Sequence, residues 1–142
     1  MSKGDTFEND LLKLIFNGTA IANLADNAAS SPLASLYVAM HSADPGEGGS
    51  QTTNEVAYTS YARVAVARNS TGFTVAGNSV SPVNDVNFPT ATGGSATATH
   101  FSIGTASSGA GKILYSGTLS PAIVISNGVP PVITNGTTIT ED

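Results

Sequence analysis

The sequence contains no cysteine, which removes disulfides, thiolate metal sites and a cysteine nucleophile together and leaves redox compartment unread. Charge is scarce as well. Only 11% of the residues are Asp, Glu, Lys or Arg, against ~25% in ordinary soluble domains, and Gly, Ser, Thr, Ala and Asn dominate instead. Such a chain needs another route to order and solubility, and burial against copies of itself or a partner supplies one. The five cations, Lys3, Lys13, Arg63, Arg68 and Lys112, are scattered, and the formal charge is −5 with a pI near 4.7. Nucleic-acid binding rests on clustered Lys and Arg neutralising phosphates, so a direct nucleic-acid role is disfavoured, and an anionic membrane likewise. Long apolar runs are missing too. The N-terminal "MSKGDTFENDLLKLIFNGTA" interrupts its apolar residues with Asp10 and Lys13, so it reads as neither a signal peptide nor a membrane span. The expectation is a protein made in the cytosol that keeps its N-terminus.

What is present suits a single domain over residues 1–142, a length that can bury one core. In "DTFENDLLKLIFNG", Phe7, Leu11, Leu14 and Ile15 recur at helical spacing, Asp5 and Glu8 have the spacing of a capping box, and Asn17-Gly18 forms a stop. This predicts one helix over 5–18. The Ala-rich "TAIANLADNAASSP" is weakly periodic and adds at most a short helical turn before Pro32. A β-rich body is expected over 33–142. Leu36, Val38 and Met40 alternate with Tyr37, Ala39 and His41 in a strand pattern, and "YARVAVA" repeats the alternation with Arg63 in the polar register. Further short strands are expected at "GFTVAG", "VNDVNFP", "TATHFSIG", "KILYSGTL", "AIVIS", "PPVIT" and "TTITED", each bounded by Gly, Pro, Asn or Ser. Many short strands with turn punctuation point to a mainly β fold, an antiparallel β-sandwich or jelly-roll-like domain carrying one N-terminal α-helix.

Candidate chemistry is thin. "LYVAMHSADPGEGG" brings His41, Asp44 and Glu47 to intervals of three, but on a strand these would not share a face. Asp44-Pro45-Gly46 is a turn signal, in which Asp caps, Pro presets the backbone and Gly allows the return. Glu47 lies among glycines that leave its position unfixed, so no metal or acid–base site is assigned. His100 has no acidic neighbour in sequence, although pairing with His41 across the fold stays open. "GTASSGAGKIL" superficially resembles a phosphate-binding loop, yet Ala106 stands where the first Gly is required and Ile113 where Ser or Thr is. Lys112 is better read as a charge leading into a strand after a hairpin loop. No G-x-S-x-G elbow exposes a serine nucleophile, and the Asn17, Asn69 and Asn135 glycosylation patterns are of the kind a Thr-rich chain produces by chance.

In their order along the chain, "LYVAMHSADPGEGG", "YARVAVA", "VNFPTATG", "THFSIG" and "GKILYSGTL" resemble a family of small tailed-bacteriophage virion structural proteins, tail-fibre-like or capsid-decorating. The family pattern is an L-Y-L-A-L strand, an A-D-P-G turn, Y-A-R-V, F-P-T-A-T-G and H-F-G-I, and the likeness covers nearly the whole chain. Departures fall at His41, at Ser102 where the family usually has Gly, in "SIGTASSGAGK" and in the extra Pro-Pro near the end, and they are expected to lie in surface loops.

The resemblance implies no catalysis and no cofactor or metal, matching the residue-level reading. The leading expectation is a capsid decoration protein stabilising the head exterior. The alternative is a tail or tail-fibre component contacting the host, and a small surface-binding module or hydrolase ranks last. Either virion reading makes the protein in the host bacterial cytoplasm and places it on the particle, with the major coat protein or tail proteins as partners and with no nucleic-acid or membrane contact. A chain with few charges suits a symmetric homo-oligomer, trimer or dimer, held by apolar patches and edge strands. Phe7, Leu11 and Leu14 on the helix and Tyr37, Tyr58, Tyr61, Phe88, Phe101 and Tyr115 on the β body are the candidate interface residues.

Overall fold

The computed structural model describes residues 5–21 and 32–141; the possible helical turn before Pro32 lies largely outside them. In chain order the elements are α1 (Asp5–Asn17), β1 (Ser35–His41), β2 (Val64–Ala67), β3 (Phe73–Ala76), β4 (Ser79–Pro82), β5 (Val86–Asn87), β6 (Ala96–Gly104), β7 (Ile113–Ile125), β8 (Val132–Ile133) and β9 (Ile139–Thr140). The protein is mainly β, its sheets antiparallel, with one helix among the described residues. The chain forms two compact units. One draws on Met1–Ser35, Val66–Asp85 and Thr134–Asp142, the other on Leu36–Ala65 and Val86–Ile133.

In the first unit, Leu12 and Phe16, one helical turn apart, are fully buried, and Glu8 a further turn back is nearly so. Phe16 meets Phe73 of β3 edge-on, ring centroids 4.9 Å apart. The expected stripe was a different one. Leu11, Leu14 and Ile15 are only half-buried, and the side chain of Phe7 lies outside the described residues. Six apolar side chains in this helix cover more than one face, so helical periodicity permits several stripes, and packing against β3 and β4 selects the one centred on Leu12 and Phe16.

The helix stops at Gly18, whose φ of +65° is the left-handed conformation of a C-terminal cap. The last turn of α1 carries no basic residue, and Arg68 supplies one from elsewhere. Its Nε donates to the Ile15 carbonyl and its Nη2 to the Leu14 carbonyl, both at 2.6 Å, while Nη1 reaches Leu33 at 3.3 Å. The Leu14 and Ile15 carbonyls, in the last turn of the helix, would otherwise lack intrahelical donors, and a cation is favourable at the negative end of the helix dipole.

β3 and β4 form a hairpin, Phe73↔Pro82 to Ala76↔Ser79, turned by Gly77-Asn78 with Gly77 at φ +61°, as a two-residue hairpin with Gly first requires. β9 continues the sheet through Val80↔Ile139. β4 was not expected from sequence, because "NSVSP" is built of residues that punctuate loops. Its one large apolar side chain, Val80, is buried and suffices to seat it.

The four-stranded sheet has the order β2-β1-β6-β7, and a separate two-stranded sheet pairs β5 with β8. The β1–β6 register runs Tyr37↔Gly104 to His41↔His100, stacking Val38 opposite Ile103 and Met40 opposite Phe101. β7 merges the two strands expected at "KILYSGTL" and "AIVIS". Its pairing with β6 is broken twice: Leu114 is skipped between Ile103↔Tyr115 and Gly104↔Ile113, and between Ala98↔Ile123 and His100↔Thr118 the residues from Leu119 to Ala122 face Thr99 alone. Pro121 sits in this bulge, where its missing N–H removes nothing from the ladder. Gly117 lies under the Phe101 ring, and a Cβ there would meet it.

Truncating Leu12 to Ala should cost about 2–5 kcal/mol, the usual range for deleting a fully buried leucine, whereas Leu14→Ala should cost clearly less. Denaturant unfolding of the two variants checks the order; equal losses would return the packed stripe to Leu14.

Candidate functional site: a buried polar cluster beneath two loops

The "HSADPGEGG" stretch resolves into two parts with different fates. Asp44-Pro45-Gly46 is a turn: Gly46 donates its N–H to Asp44 Oδ1 at 2.9 Å and adopts φ +70°. Glu47 is exposed, and no group of His, Asp and Glu able to hold a metal occurs among the described residues. His41, by contrast, has no exposed surface. Its Nδ1 lies 2.8 Å from the Thr53 carbonyl and its Nε2 2.8 Å from Ser102 Oγ. A carbonyl only accepts, so Nδ1 carries the proton and the Ser102 hydroxyl donates to Nε2. His41 and Ser102, at two positions where the chain departs from the resembled pattern, are therefore partners. They sit inside paired strands and not in the surface loops expected of them, because each hydrogen-bonds the polar atom the other buries.

A hydroxyl donating to an imidazole is also the arrangement of an activated nucleophile. Ser102 too has no exposed surface, so no substrate atom reaches its Oγ without opening the sheet. The pair ties β1 to β6. Burial pushes the His41 imidazole below its ordinary value of 6.5; the Thr53 carbonyl and Glu55 oppose the shift, and Arg63 and His100 add to it. His100, opposite His41 in the register, bonds to Thr99 Oγ1 at 2.9 Å and to Thr118 Oγ1 at 3.4 Å.

A second set of groups adjoins the first through Glu55, whose backbone bridges to His41. Arg63 grips Glu55 with two parallel bonds, Nε to Oε1 at 2.7 Å and Nη2 to Oε2 at 2.8 Å. The Arg63 side chain is 2% exposed, and its hydrogen bond to Glu55 raises its already high pKa. Tyr61 Oη donates to Glu55 Oε1 at 2.9 Å and accepts the Met40 N–H at 3.2 Å; burial raises its pKa far above the usual phenol range. The remaining Arg63 donors reach across to the loop between β6 and β7, to the carbonyls of Ala106 at 2.9 Å and Gly109 at 2.8 Å.

Gln51, also without exposed surface, completes the base. Its Nε2 donates to the Tyr37 carbonyl at 3.0 Å and its Oε1 accepts the Ala106 N–H at 3.1 Å, while its backbone N–H bonds Gly111 at 2.9 Å. Gly104 and Gly111 are small by necessity, since a Cβ at either would occupy the space of the Gln51 amide. The loop 105–111 is therefore held from beneath by Arg63 and Gln51, while Ser107, Ser108, Gly109 and Ala110 stay exposed. Ser50↔Lys112 bridges it to the Asp44 turn, so two exposed loops stand on one buried polar base. Lys112 immediately precedes β7, closing a hairpin loop as the sequence suggests, with Thr105 and Lys112 exchanging bonds across its mouth.

The aromatic residues expected at an interface divide. Tyr58, Phe88 and Phe101 are buried within the second unit, because the chain consumes them itself. Tyr58 and Tyr61 meet edge-on at 5.4 Å, Tyr61 stacks on Phe88 at 6.3 Å, and Tyr58 Oη donates to the Pro89 carbonyl at 2.8 Å. Tyr37, Tyr61 and Tyr115 are half-buried. Sequence reasoning missed Gln51, Thr53 and Glu55. Tyr61 and Arg63 could have been linked by their spacing of two, but Glu55 lies in a loop where no period betrays it.

Replacing Arg63 with Met should cost about 3–5 kcal/mol, since it leaves Glu55 without its buried partner, and should open 105–111 to limited proteolysis. Arg63→Lys should recover only part, because an ammonium cannot make the two-bond fork. The His41 shift also fixes a pH dependence. The unfolded imidazole takes up its proton near 6.5 and the folded one only below that, so stability is lost as pH falls through 6.5 toward the lower folded value. Chemical denaturation between pH 7.5 and pH 5, numbers set by the ordinary histidine range of about 6.5, should show this slope in the wild type and a shallower one in His41→Gln.

A search of curated proteins finds no match. The family described as podophage GP4 fiber I protein gp80 matches residues 2–140. That span contains the helix, every strand and the polar base beneath the two loops, and on it the chain belongs to the podophage GP4 fiber I protein gp80 family, a family of phage virion structural proteins.

Proposed function

We propose that the protein is a non-enzymatic component of a phage tail fibre, working with other tail proteins of the same virion. The observation that carries this is the family itself: a fibre protein description spanning residues 2–140 supports the tail over the head-decoration reading that ranked first on sequence. The site chemistry is compatible. His41, Ser102, Glu55, Arg63 and Gln51 spend their hydrogen-bonding capacity on the chain's own strands and loops, which is how a buried polar network fixes a fold. The product of that rigidity is a pair of supported exposed loops, the place where scaffold proteins carry recognition.

Capsid decoration remains the second reading, favoured by the low charge that suits a cap on a shell. Copy number separates the two. Quantitative gel densitometry of purified virions against the major coat protein, with immunogold labelling, should find a few symmetric sets per particle located at the tail. Amounts near those of the coat protein, with label on the head, would overturn the fibre assignment.

A further inference from the structure

An asparagine followed by glycine carries one of the most labile bonds in a protein, because glycine has no side chain to hinder its own nitrogen from attacking the asparagine amide. The chain has three such pairs, Asn17-Gly18, Asn127-Gly128 and Asn135-Gly136, in three different settings. Asn17 closes α1 with its Oδ1 buried, and a helical side chain leans back toward the N-terminus, away from the nitrogen that follows it. The Gly128 N–H donates to the Ala91 carbonyl at 2.7 Å, a bond that attack would first have to break. Asn135 and Gly136 are both exposed, and the Gly136 N–H meets no acceptor among the described residues. Gly18 and Gly128 also answer a backbone demand, with φ +65° and +87°. Gly136 answers none: its φ is not in the positive region, and an added Cβ would meet nothing nearer than Thr134 Oγ1 at 3.8 Å. The pair sits at the centre of a turn closed by the Thr137 N–H on the Thr134 carbonyl at 3.0 Å. Asn135 anchors that turn, its N–H donating to Asp85 Oδ1 at 2.8 Å and its Nδ2 to the Val83 carbonyl at 3.3 Å. The second bond is long and exposed, a weak restraint on the amide.

We infer that Asn135 is a self-modification site, at which the folded chain converts its own asparagine to isoaspartate and aspartate. The Gly136 amide gives up its proton to hydroxide, its nitrogen bonds to Asn135 Cγ, and the Cγ–Nδ2 bond breaks with release of ammonia, leaving a cyclic succinimide. Water then opens the ring. Addition at Cγ gives aspartate; addition at the main-chain carbonyl of residue 135 gives isoaspartate, in which the chain runs on through the former side chain. One water is consumed and one ammonia released, and nothing is oxidised or reduced. Either product loses Nδ2, and with it the bond to Val83, and places a new carboxylate on the residue whose N–H Asp85 already binds, where like charges repel. Isoaspartate also lengthens the main chain inside a closed turn. The turn leads into β9, which pairs with β4 over just Ser79↔Thr140 and Val80↔Ile139, so the loosening falls on that strand. This chemistry is independent of the fibre reading and holds for either location on the virion.

The purified folded chain, held for weeks at mildly alkaline pH, should gain the mass of one amide-to-acid change and, in heavy-oxygen water, should take up the label. Trypsin releases Ile113–Asp142 as one peptide carrying both Asn127 and Asn135, so tandem mass spectrometry compares the two within a single molecule. Asn135 should convert about fivefold faster than Asn127, the factor that breaking one ordinary backbone hydrogen bond supplies, and also ahead of Asn17. In the denatured chain the three should convert at comparable rates. Gly136→Ala, which the backbone angle and the open space admit, should keep the circular dichroism spectrum and abolish conversion on the same timescale. Hydrogen exchange at Ile139 and Thr140 should be faster in Asn135→Asp than in the fresh wild type. A folded chain in which Asn127 or Asn17 converts first, one in which Asn135 stays intact while the denatured chain reacts, or a folded Gly136→Ala that reacts as fast as the wild type would each overturn the inference. The comparison of Asn135 with Asn127 in the wild type stands whether or not that variant folds.

Discussion

The second unit depends on one ion pair. A guanidinium buried to the degree of Arg63 is tolerated only when its charge and donors are met, and Glu55 meets both with a two-bond grip. That requirement organises what surrounds it. Glu55 must be brought beside the end of β1, which its bridge to His41 does; Tyr61 must turn its hydroxyl inward to share the carboxylate; and the remaining Arg63 donors must find acceptors, which the loop after β6 provides at Ala106 and Gly109. The loop therefore owes its shape to a charge that cannot be left unmatched, with Gln51 accepting the Ala106 N–H of the same loop beside it.

The first unit solves a different problem with the same residue type. Its helix ends without a basic residue of its own, and Arg68 satisfies the last-turn carbonyls while Phe16 locks against Phe73. The chain has five cations in all. Two of them, Arg63 and Arg68, are committed to internal carbonyls and a carboxylate, which leaves few to decorate the surface. An arginine suits both tasks because its planar fork serves several acceptors at once.

This economy of charge bears on assembly. A protein that works in a particle, surrounded by fixed neighbours, gains solubility from those neighbours and does not need a heavily charged exterior. The interval from Val86 to Thr140, with Lys112 as its single cation, holds the longest strand and the supported loop, and Val124 on β7 is 70% exposed.

The sequence by itself determined the kind of protein: a single amphipathic helix stopped at Gly18, a body of short antiparallel strands, a turn at Asp44-Pro45-Gly46, and membership of a phage structural family. These are local properties, set by periodicity, by the backbone angles that Pro and Gly impose, and by motif order, so they could be read without a structure. Tertiary structure alone decided the rest. Which helical stripe is buried depended on where β3 and β4 lie, since several stripes were apolar. That β4 exists depended on β3 and β9 offering it partners. Tyr58, Phe88 and Phe101, equally plausible as surface or core by composition, became core because neighbouring aromatics and the β1–β6 register enclosed them. The polar base is the clearest case: His41 and Ser102, or Glu55 and Arg63, are ordinary residues in sequence, and only when strands distant along the chain are brought within hydrogen-bonding distance does each become the group that another cannot be buried without.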